Sequence, residues 1–253
     1  MSKVGNIFHI LFGKKKEPTT TVDDSGKGLL KVYSHPRSGT HFLEAFIGRN
    51  FYPGMDLLIK PVIWGHWSDR RQKLEGNPYG KLFGSHYFPD QIEEKGLMIY
   101  IVRDPRAVAW SIWKTPNFVH GEHRPDSFSE FLRTPLDWRG SPARKRNTGK
   151  NSIEHWLEHV MAWEDFAHGN ANIIIVRYED LVDAPVSQYE KIRKTFFKEL
   201  QLDETSIDAV SDPVGLLPNK ARKDAWKSNF TPEDIDYINS LVPQKYQERY
   251  FNE

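Results

Sequence analysis

The stretch LLKVYSHPRSGTHFLEAFIGRNF, residues 29–51, decides the fold because two apolar segments of different periodicity meet there at a short polar turn. The run Leu29–Tyr33 has the unbroken hydrophobicity of a buried parallel strand. Apolar residues at helical spacing follow in Phe42–Asn50. The turn between them, His35–Thr40, carries hydroxyls, one Arg and one Gly. A strand, a polar loop and a helix N-terminus in this order bind phosphate-sized anions, and we predict an anion site here.

The same alternation of strand and helix patterns continues along the chain. Apolar runs predict further strands at Lys81–Ser85, Leu97–Val102 and Ile173–Val176. Helical patterns occupy Pro105–Trp113, Ile153–His168 and Val186–Glu199. Strands that alternate with helices predict a single α/β domain of three layers, with a central parallel sheet flanked by helices. Ligands of such folds bind at the carboxyl ends of the strands, so the polar residues that follow each strand are the site candidates.

The overall composition restricts the class of protein. The 253 residues include 35 Lys and Arg against 34 Asp and Glu, a balance that argues against bulk nucleic-acid binding. The chain has no cysteine, which excludes disulfides, thiolate catalysis and a Cys-ligated zinc site and fits a cytoplasmic protein. No run approaches the roughly 18 apolar residues of a membrane span.

The N-terminal segment differs from the rest of the chain. Residues 1–27 begin with a short apolar run, continue with three lysines and end in a polar stretch, the reverse of a signal peptide. We expect a flexible leader at 1–27 and one domain at 28–253. The alternative for residues 1–16 is weak contact with a membrane surface through an amphipathic segment.

Polar residues at two of the strand ends are candidates for anion binding. Arg103 ends its strand, and Ser111 lies in the second turn of the helix that follows. Asp104 has the residue type of an N-cap and Pro105 suits the first helical position, so Asp104 has a sufficient structural role. Taken alone, Arg103 fits a surface ion pair equally well.

Other strand ends carry a histidine and an aromatic residue. His86 follows the short strand at 81–85, where an imidazole suits a general base. Tyr178 follows the strand at 173–176 and could stack on a nucleobase, while Glu179 or Asp180 could cap the next helical turn. A basic segment from Asn219 to Lys227 reads by itself as a solvated charge run.

Taken in order, these segments resemble the sulfotransferases that use 3′-phosphoadenosine-5′-phosphosulfate (PAPS). PRSGTHFL, from Pro36 to Leu43, is similar to the family pattern P-K-S-G-T-T-W-L, and RDPRAVAWS, from Arg103 to Ser111, is similar to R-D-P-R-D-V-A-V-S. Weaker similarities are GSHYFP at 84–89, HWLEHV at 155–160, YEDL at 178–181 and NKARKDAWKSNFT at 219–231. The resemblance spans roughly Leu29 to Thr231, and several motifs in the family's order are far more specific than any one.

The resemblance implies a P-loop-NTPase-like sulfotransferase fold and transfer of a sulfuryl group from PAPS to a hydroxyl or amine by in-line displacement. It implies release of 3′-phosphoadenosine 5′-phosphate (PAP) and no metal. His86 would be the base and Arg37 would meet the charge on the leaving oxygen. The remaining residues that the resemblance places at PAPS are Ser38, Gly39, Thr40 and His41 at the 5′-phosphosulfate, Arg103, Ser111, Lys220 and Arg222 at the 3′-phosphate, and Phe42 and Tyr178 beside the adenine.

The sequence departs from the family at three places. Arg37 stands where many members have Lys, Phe42 replaces a Trp, and Asn219 and Ala221 replace Arg and Gly of the last motif. Arg37 keeps the positive charge and can bind two oxygens at once.

Two other functions and several properties of the acceptor remain open at this stage. A nucleotide kinase or NTPase would need G-x-x-x-x-G-K-[ST], which the turn lacks, and the third alternative is a catalytically silent nucleotide-binding module. The acceptor could be a small molecule or a carbohydrate, and the oligomeric state is not readable. The basic segment 139–150 fits either a solvated loop or a lid over an anionic ligand.

Overall fold

A computed structural model describes residues 28–53, 55, 81–93, 96–114, 125–136, 149–200, 206–210 and 223–252. The expected leader at 1–27, most of the basic segment at 139–150, and both Lys220 and Arg222 lie outside these ranges. Predictions that concern them are therefore not tested by the structure.

A parallel sheet forms the centre of the part of the chain that the structure describes. Its strands are β1 (Lys31–Ser34), β2 (Phe83–Ser85), β3 (Met98–Val102) and β4 (Ile173–Arg177), in the spatial order β2-β1-β3-β4. All three pairings are parallel. Each predicted apolar run overlaps one of these strands, so the predicted sheet is confirmed, with strand ends displaced by one or two residues.

Helices cover both faces of this sheet. They are α1 (Thr40–Phe51), α2 (Pro105–Trp113), α3 (Phe128–Arg133), α4 (Ser152–Ala167), α5 (Tyr178–Asp183), α6 (Pro185–Phe196), α7 (Pro232–Leu241) and α8 (Gln244–Tyr250). One buried cluster joins the sheet to α1, α5 and α6, and a second joins it to α2, α3, α4, α7 and α8. The predicted three-layer architecture is confirmed. No helix among the described residues is long and apolar enough to cross a bilayer.

The strands supply both clusters because successive side chains of a strand point to opposite faces. In β3, Ile99 and Ile101 belong to the cluster with α1, whereas Tyr100 and Val102 belong to the cluster with α4. All four side chains are fully buried. A strand buried on both faces has a continuous apolar run in the sequence, which is why these strands could be predicted.

Local sequence rules account for the start of α2 and fail at the start of α5. The Asp104 carboxylate accepts from the Arg106 N–H at 2.8 Å and Pro105 opens α2, as predicted. The prediction that Glu179 or Asp180 caps the next turn is wrong, because the N-cap of α5 is Arg177 and both acids lie inside the helix. Glu179 instead accepts from the backbone N–H of Asp104 at 3.1 Å.

The strand order places a ligand crevice between β1 and β3. From β1 the chain runs through α1 to β2 on one side, and from β3 through α2 towards β4 on the other. Helices α1 and α2 pack on opposite faces of the sheet. In open α/β sheets, ligands bind at such a reversal, outside the carboxyl ends of the strands. The loop that follows β1 and Arg103 after β3 both lie there.

Candidate active site

The turn between β1 and α1, residues 35–40, is shaped by two residues with positive φ. Arg37 has φ 68° and Gly39 has φ 95°. Only Gly fits at 39, because a Cβ there would lie 2.4 Å from Cδ2 of Tyr178. A non-glycine residue such as Arg37 in the left-handed region is uncommon and often marks a functional turn. We call residues 35–40 the anion loop.

The anion loop ends in hydrogen-bond donors that suit an anion. Ser38 is fully buried, and its Oγ has no hydrogen-bond partner among the described residues. Buried hydroxyls are normally paired, so this one fits a ligand oxygen. Helix α1 begins without a capping side chain and has no acid in its first turn, which leaves its first N–H groups and its positive dipole end to a ligand. The Ser38 N–H itself closes the turn on the His35 carbonyl at 3.3 Å.

Two guanidinium groups meet beside this loop. Arg37 Nε donates to Ser111 Oγ at 3.0 Å, and Arg103 Nη1 donates to the Arg37 carbonyl at 3.4 Å. Burial, and then the charge of Arg103, lower the pKa of Arg37 to about 10, so Arg37 remains cationic at neutral pH. Arg103 is buried and Arg37 is partly buried, so the two cations repel each other, and a bound anion relieves that repulsion. The structure therefore brings together Arg37, Arg103 and Ser111, which the sequence assigned to different ends of PAPS.

The aromatic candidates Phe42 and Tyr178 also lie at this crevice. Their ring centroids are 5.6 Å apart at 65°, and the Arg103 guanidinium carbon lies 4.4 Å from the centre of the Tyr178 ring. Tyr178 is buried and packs against Gly39, whereas Phe42 is only partly buried. Tyr178 thus fixes the shape of the anion loop and the place of Arg103. Phe42 is the better placed of the two to offer a ring face to a ligand.

His86 follows β2, next to the anion loop. Its Nδ1 lies 2.7 Å from the Ser34 carbonyl oxygen and 3.0 Å from Ser34 Oγ. A carbonyl can only accept, so Nδ1 carries the proton and the neutral ring has its lone pair on Nε2. Ser34 Oγ also lies 2.7 Å from Thr40 Oγ1, which ties His86 to the start of α1. A histidine oriented through Nδ1 has the arrangement of a general base acting through Nε2.

His41, another predicted ligand residue, makes a contact within its own helix. Its Nδ1 lies 2.7 Å from Glu44 Oε2, and the Glu44 side chain is buried. A role for His41 at PAPS stays a prediction.

Sequence reasoning missed a group of buried polar residues that begins with His35 of the anion loop and continues beneath it. His35, His155, His159 and Tyr100 are all fully buried. His35 Nε2 lies 2.8 Å from His155 Nδ1, and burial lowers the pKa of both rings. The signal was present in HWLEHV, where two histidines four residues apart share one helix face. Within the described ranges, no group of three or more His, Cys, Asp or Glu residues is placed to hold a metal ion.

The family model for the sulfotransferase domain matches residues 30–249 of this chain. The chain belongs to the sulfotransferase family. The resemblance inferred from the loop motifs is thereby confirmed, and with it the P-loop-like α/β fold.

Individual sulfotransferases are similar to it at low identity. The 3-alpha-hydroxysteroid sulfotransferase of Cavia porcellus is 23% identical over 245 residues, which cover 84% of this chain and 81% of that protein. Sulfotransferase 2A2 of Rattus norvegicus is 26% identical over 192 residues, covering 70% of this chain and 62% of the relative. The crystal structure of mouse sulfotransferase SULT7A1 complexed with PAP has a TM-score of 0.56 at 21% identity, and covers 88% of this chain and 84% of that one. At that identity the structural likeness shows a shared fold.

Proposed function

We propose that this sulfotransferase moves a sulfuryl group from PAPS to a hydroxyl or amine of its acceptor by in-line displacement. The observation that carries the proposal is the convergence of Arg37 and Arg103 on a loop whose buried Ser38 hydroxyl has no hydrogen-bond partner among the described residues. The PAP bound to mouse SULT7A1, a protein of the same fold, supports this choice of nucleotide.

The transfer step makes one bond and breaks one. The acceptor oxygen or nitrogen attacks sulfur, and the bond from sulfur to the bridging oxygen breaks with its electron pair remaining on PAP. His86 Nε2 takes the proton of the acceptor, a contribution of about 10²–10⁴ in rate. Arg37 and the N–H groups at the start of α1 stabilise the charge that grows on the bridging oxygen, which could contribute several kcal/mol.

The 3′-phosphate is what separates PAP from other adenine nucleotides. We assign Arg103 and Ser111 to it, together with Lys220 and Arg222 of the basic segment, and we place the adenine against Phe42. The Arg103 guanidinium is held by Tyr178 and by the Arg37 carbonyl, so its direction is set before a ligand arrives. A planar guanidinium held in this way can bind two phosphate oxygens.

For the acceptor we infer a small molecule with a hydroxyl group. The relative from Cavia porcellus is named for a 3-alpha-hydroxysteroid, so androsterone is a reasonable first probe. The basic segment 139–150 supports a carbohydrate acceptor as the second candidate. A panel of androsterone, 2-naphthol and a chondroitin disaccharide with labelled PAPS distinguishes them.

A thermal-shift experiment without magnesium tests the choice of donor. PAP at 100 times its Kd should stabilise the protein by about 2.7 kcal/mol, and ATP should stabilise it less. Stabilisation by ATP with magnesium but not by PAP would overturn the proposal in favour of an NTPase.

The variant His86→Ala tests the catalytic base. Turnover of PAPS with the best panel acceptor should fall at least about 100-fold, while PAP affinity stays nearly unchanged. The control is His168→Ala, an exposed histidine at the end of α4, which should retain turnover. Turnover of His86→Ala at the level of the control would remove His86 from the role of base.

A further inference from the structure

Two buried residues, Tyr100 on β3 and His159 on α4, lie close to the anion loop and to His86, which follows β2. Neither has a role in the reaction proposed above, and both are fully buried. His159 Nε2 lies 3.2 Å from the backbone carbonyl oxygen of His86, and its Nδ1 lies 2.8 Å from the Tyr100 hydroxyl. The ring of His159 also lies edge-on to the ring of His35, the first residue of the anion loop, with centroids 5.5 Å apart, and Tyr100 is paired with Tyr33 in the sheet. His159 therefore contacts both segments.

The chemistry of the groups fixes the direction of both hydrogen bonds of His159. A carbonyl only accepts, so His159 Nε2 carries the hydrogen and donates a hydrogen bond to the His86 carbonyl. The neutral His159 ring then accepts at Nδ1, and the Tyr100 hydroxyl must be the donor to it. One tautomer of His159 satisfies both bonds.

His86 is thus held to the anion loop at two points. Its backbone carbonyl is held through His159 and Tyr100, and its ring is held by the Ser34 carbonyl at 2.7 Å from Nδ1. Ser34 and His35 are adjacent at the end of β1, so both ties end at the base of the same loop. The position of the His86 ring relative to Arg37 follows from these two ties.

We propose that Tyr100 and His159 are positioning residues that set the distance between the base His86 and the anion loop. The inference rests on the proposed function, since it matters to turnover only if His86 acts as the base. Misplacing a reacting group by about 1 Å can cost about 10²-fold in rate, so a loss of either bond should appear in kcat.

Packing alone is the competing explanation for Tyr100. Its ring stacks on Trp163 with centroids 4.9 Å apart and 9° between planes, and a phenylalanine ring would pack in the same way. The hydroxyl is the atom that distinguishes the two explanations.

Tyr100→Phe removes that hydroxyl and keeps the ring. With PAPS and the best panel acceptor, kcat should fall about 10- to 100-fold, with PAP affinity within about twofold of wild type. Tyr52→Phe is the matched control. Tyr52 is also buried and its hydroxyl also makes a hydrogen bond, with the Leu30 N–H at 3.1 Å, but it lies in the cluster on the other face of the sheet. Equal kcat in the two variants would overturn the inference.

Two substitutions of His159 distinguish the hydrogen bond that its Nε2 donates from the space that its side chain fills. In glutamine the amide nitrogen reaches the place of Nε2, whereas in asparagine it reaches only the place of Nδ1. His159→Gln should therefore retain more of kcat than His159→Asn. The opposite order, or equal losses, would mean that the bond to the His86 carbonyl is not what matters.

Nitrogen-15 spectra of the histidine rings of the full chain give a readout that needs no acceptor. His159 should show the Nε2–H tautomer, and the His86 ring signals should shift in Tyr100→Phe but not in Tyr52→Phe. An Nδ1–H tautomer at His159, or unchanged His86 signals, would overturn the inference. If the proposed function itself is wrong, PAP will not stabilise the wild-type protein and the protein will transfer no sulfuryl group.

Discussion

Gly39→Ala is the substitution for which the structure gives the sharpest expectation. The left-handed φ of 95° strains any residue with a Cβ, at about 1–2 kcal/mol. The new Cβ would also lie 2.4 Å from Tyr178 Cδ2, so the ring must retreat by about 1 Å to reach an ordinary contact distance. Overpacking of this kind costs about 1–3 kcal/mol more. The free energy of unfolding should fall by about 2–5 kcal/mol in total.

The ring that must move also packs on the site. Arg103 lies 4.4 Å over Tyr178 and the Phe42 ring lies 5.6 Å from it. We therefore expect the affinity for PAP to fall at least about tenfold, which corresponds to 1.4 kcal/mol. Unfolding in urea measures the loss of stability, and isothermal titration calorimetry measures the loss of affinity for PAP.

Gly169→Ala is the matched control for strain. Gly169 has φ 75°, and a Cβ added to it would meet nothing within 4 Å. This variant should be destabilised only by the strain of a left-handed alanine, about 1–2 kcal/mol, and it should keep its PAP affinity. Equal destabilisation of the two variants, with unchanged PAP binding in Gly39→Ala, would refute the reasoning about the Tyr178 contact.

Three further predictions concern charge. Arg103→Ala should weaken the binding of PAP at least about tenfold more than the binding of adenosine 5′-phosphate, because it removes a charged contact to the 3′-phosphate. Titration calorimetry measures both affinities, and equal losses for the two nucleotides would contradict the assignment of Arg103. Asp104→Ala should lower the free energy of unfolding in urea by about 1–2 kcal/mol through loss of the α2 cap, yet leave PAP affinity unchanged. Burial lowers the pKa of His35 and His155 in the folded state, so the unfolded chain takes up protons first as pH falls below about 6.5. Stability should therefore fall as the pH drops below about 6.5, with a limiting slope of about 1.4 kcal/mol per pH unit for each of the two histidines. His155→Asn should reduce that slope, and a flat profile in the wild type would show the prediction to be wrong.

The sequence was most informative where a structural rule is local. Strands buried on both faces appear as apolar runs, and α2 could be predicted to the residue because Asp104 and Pro105 specify its start. Contacts between distant residues could not be read in this way. Glu179 has a side chain suited to capping a helical turn, yet it lies inside α5 and accepts from the backbone N–H of Asp104, 75 residues earlier.

The residues of the candidate site also divide into those that local rules predict and those that depend on contacts between distant parts of the chain. Residues at the strand ends were predictable because parallel strands present their carboxyl ends at one edge. The contact of Arg37 with Ser111, 74 residues apart, depends on where α2 packs. Tyr100 reads as core within an apolar strand, and its hydroxyl finds a partner 59 residues later in α4. The propensities of a strand contain no information about such a partner.

The arginine at position 37 also decides which chemical reagents can report on this loop. Amine-directed labels that would capture a lysine at this position have no target there, whereas a dicarbonyl such as phenylglyoxal reacts with neutral guanidine. Burial and the charge of Arg103 lower the pKa of Arg37, so Arg37 has more of that neutral form than an ordinary arginine at the same mildly alkaline pH. Fast labelling of Arg37 that PAP prevents would distinguish this loop from the lysine-bearing loops common in the family.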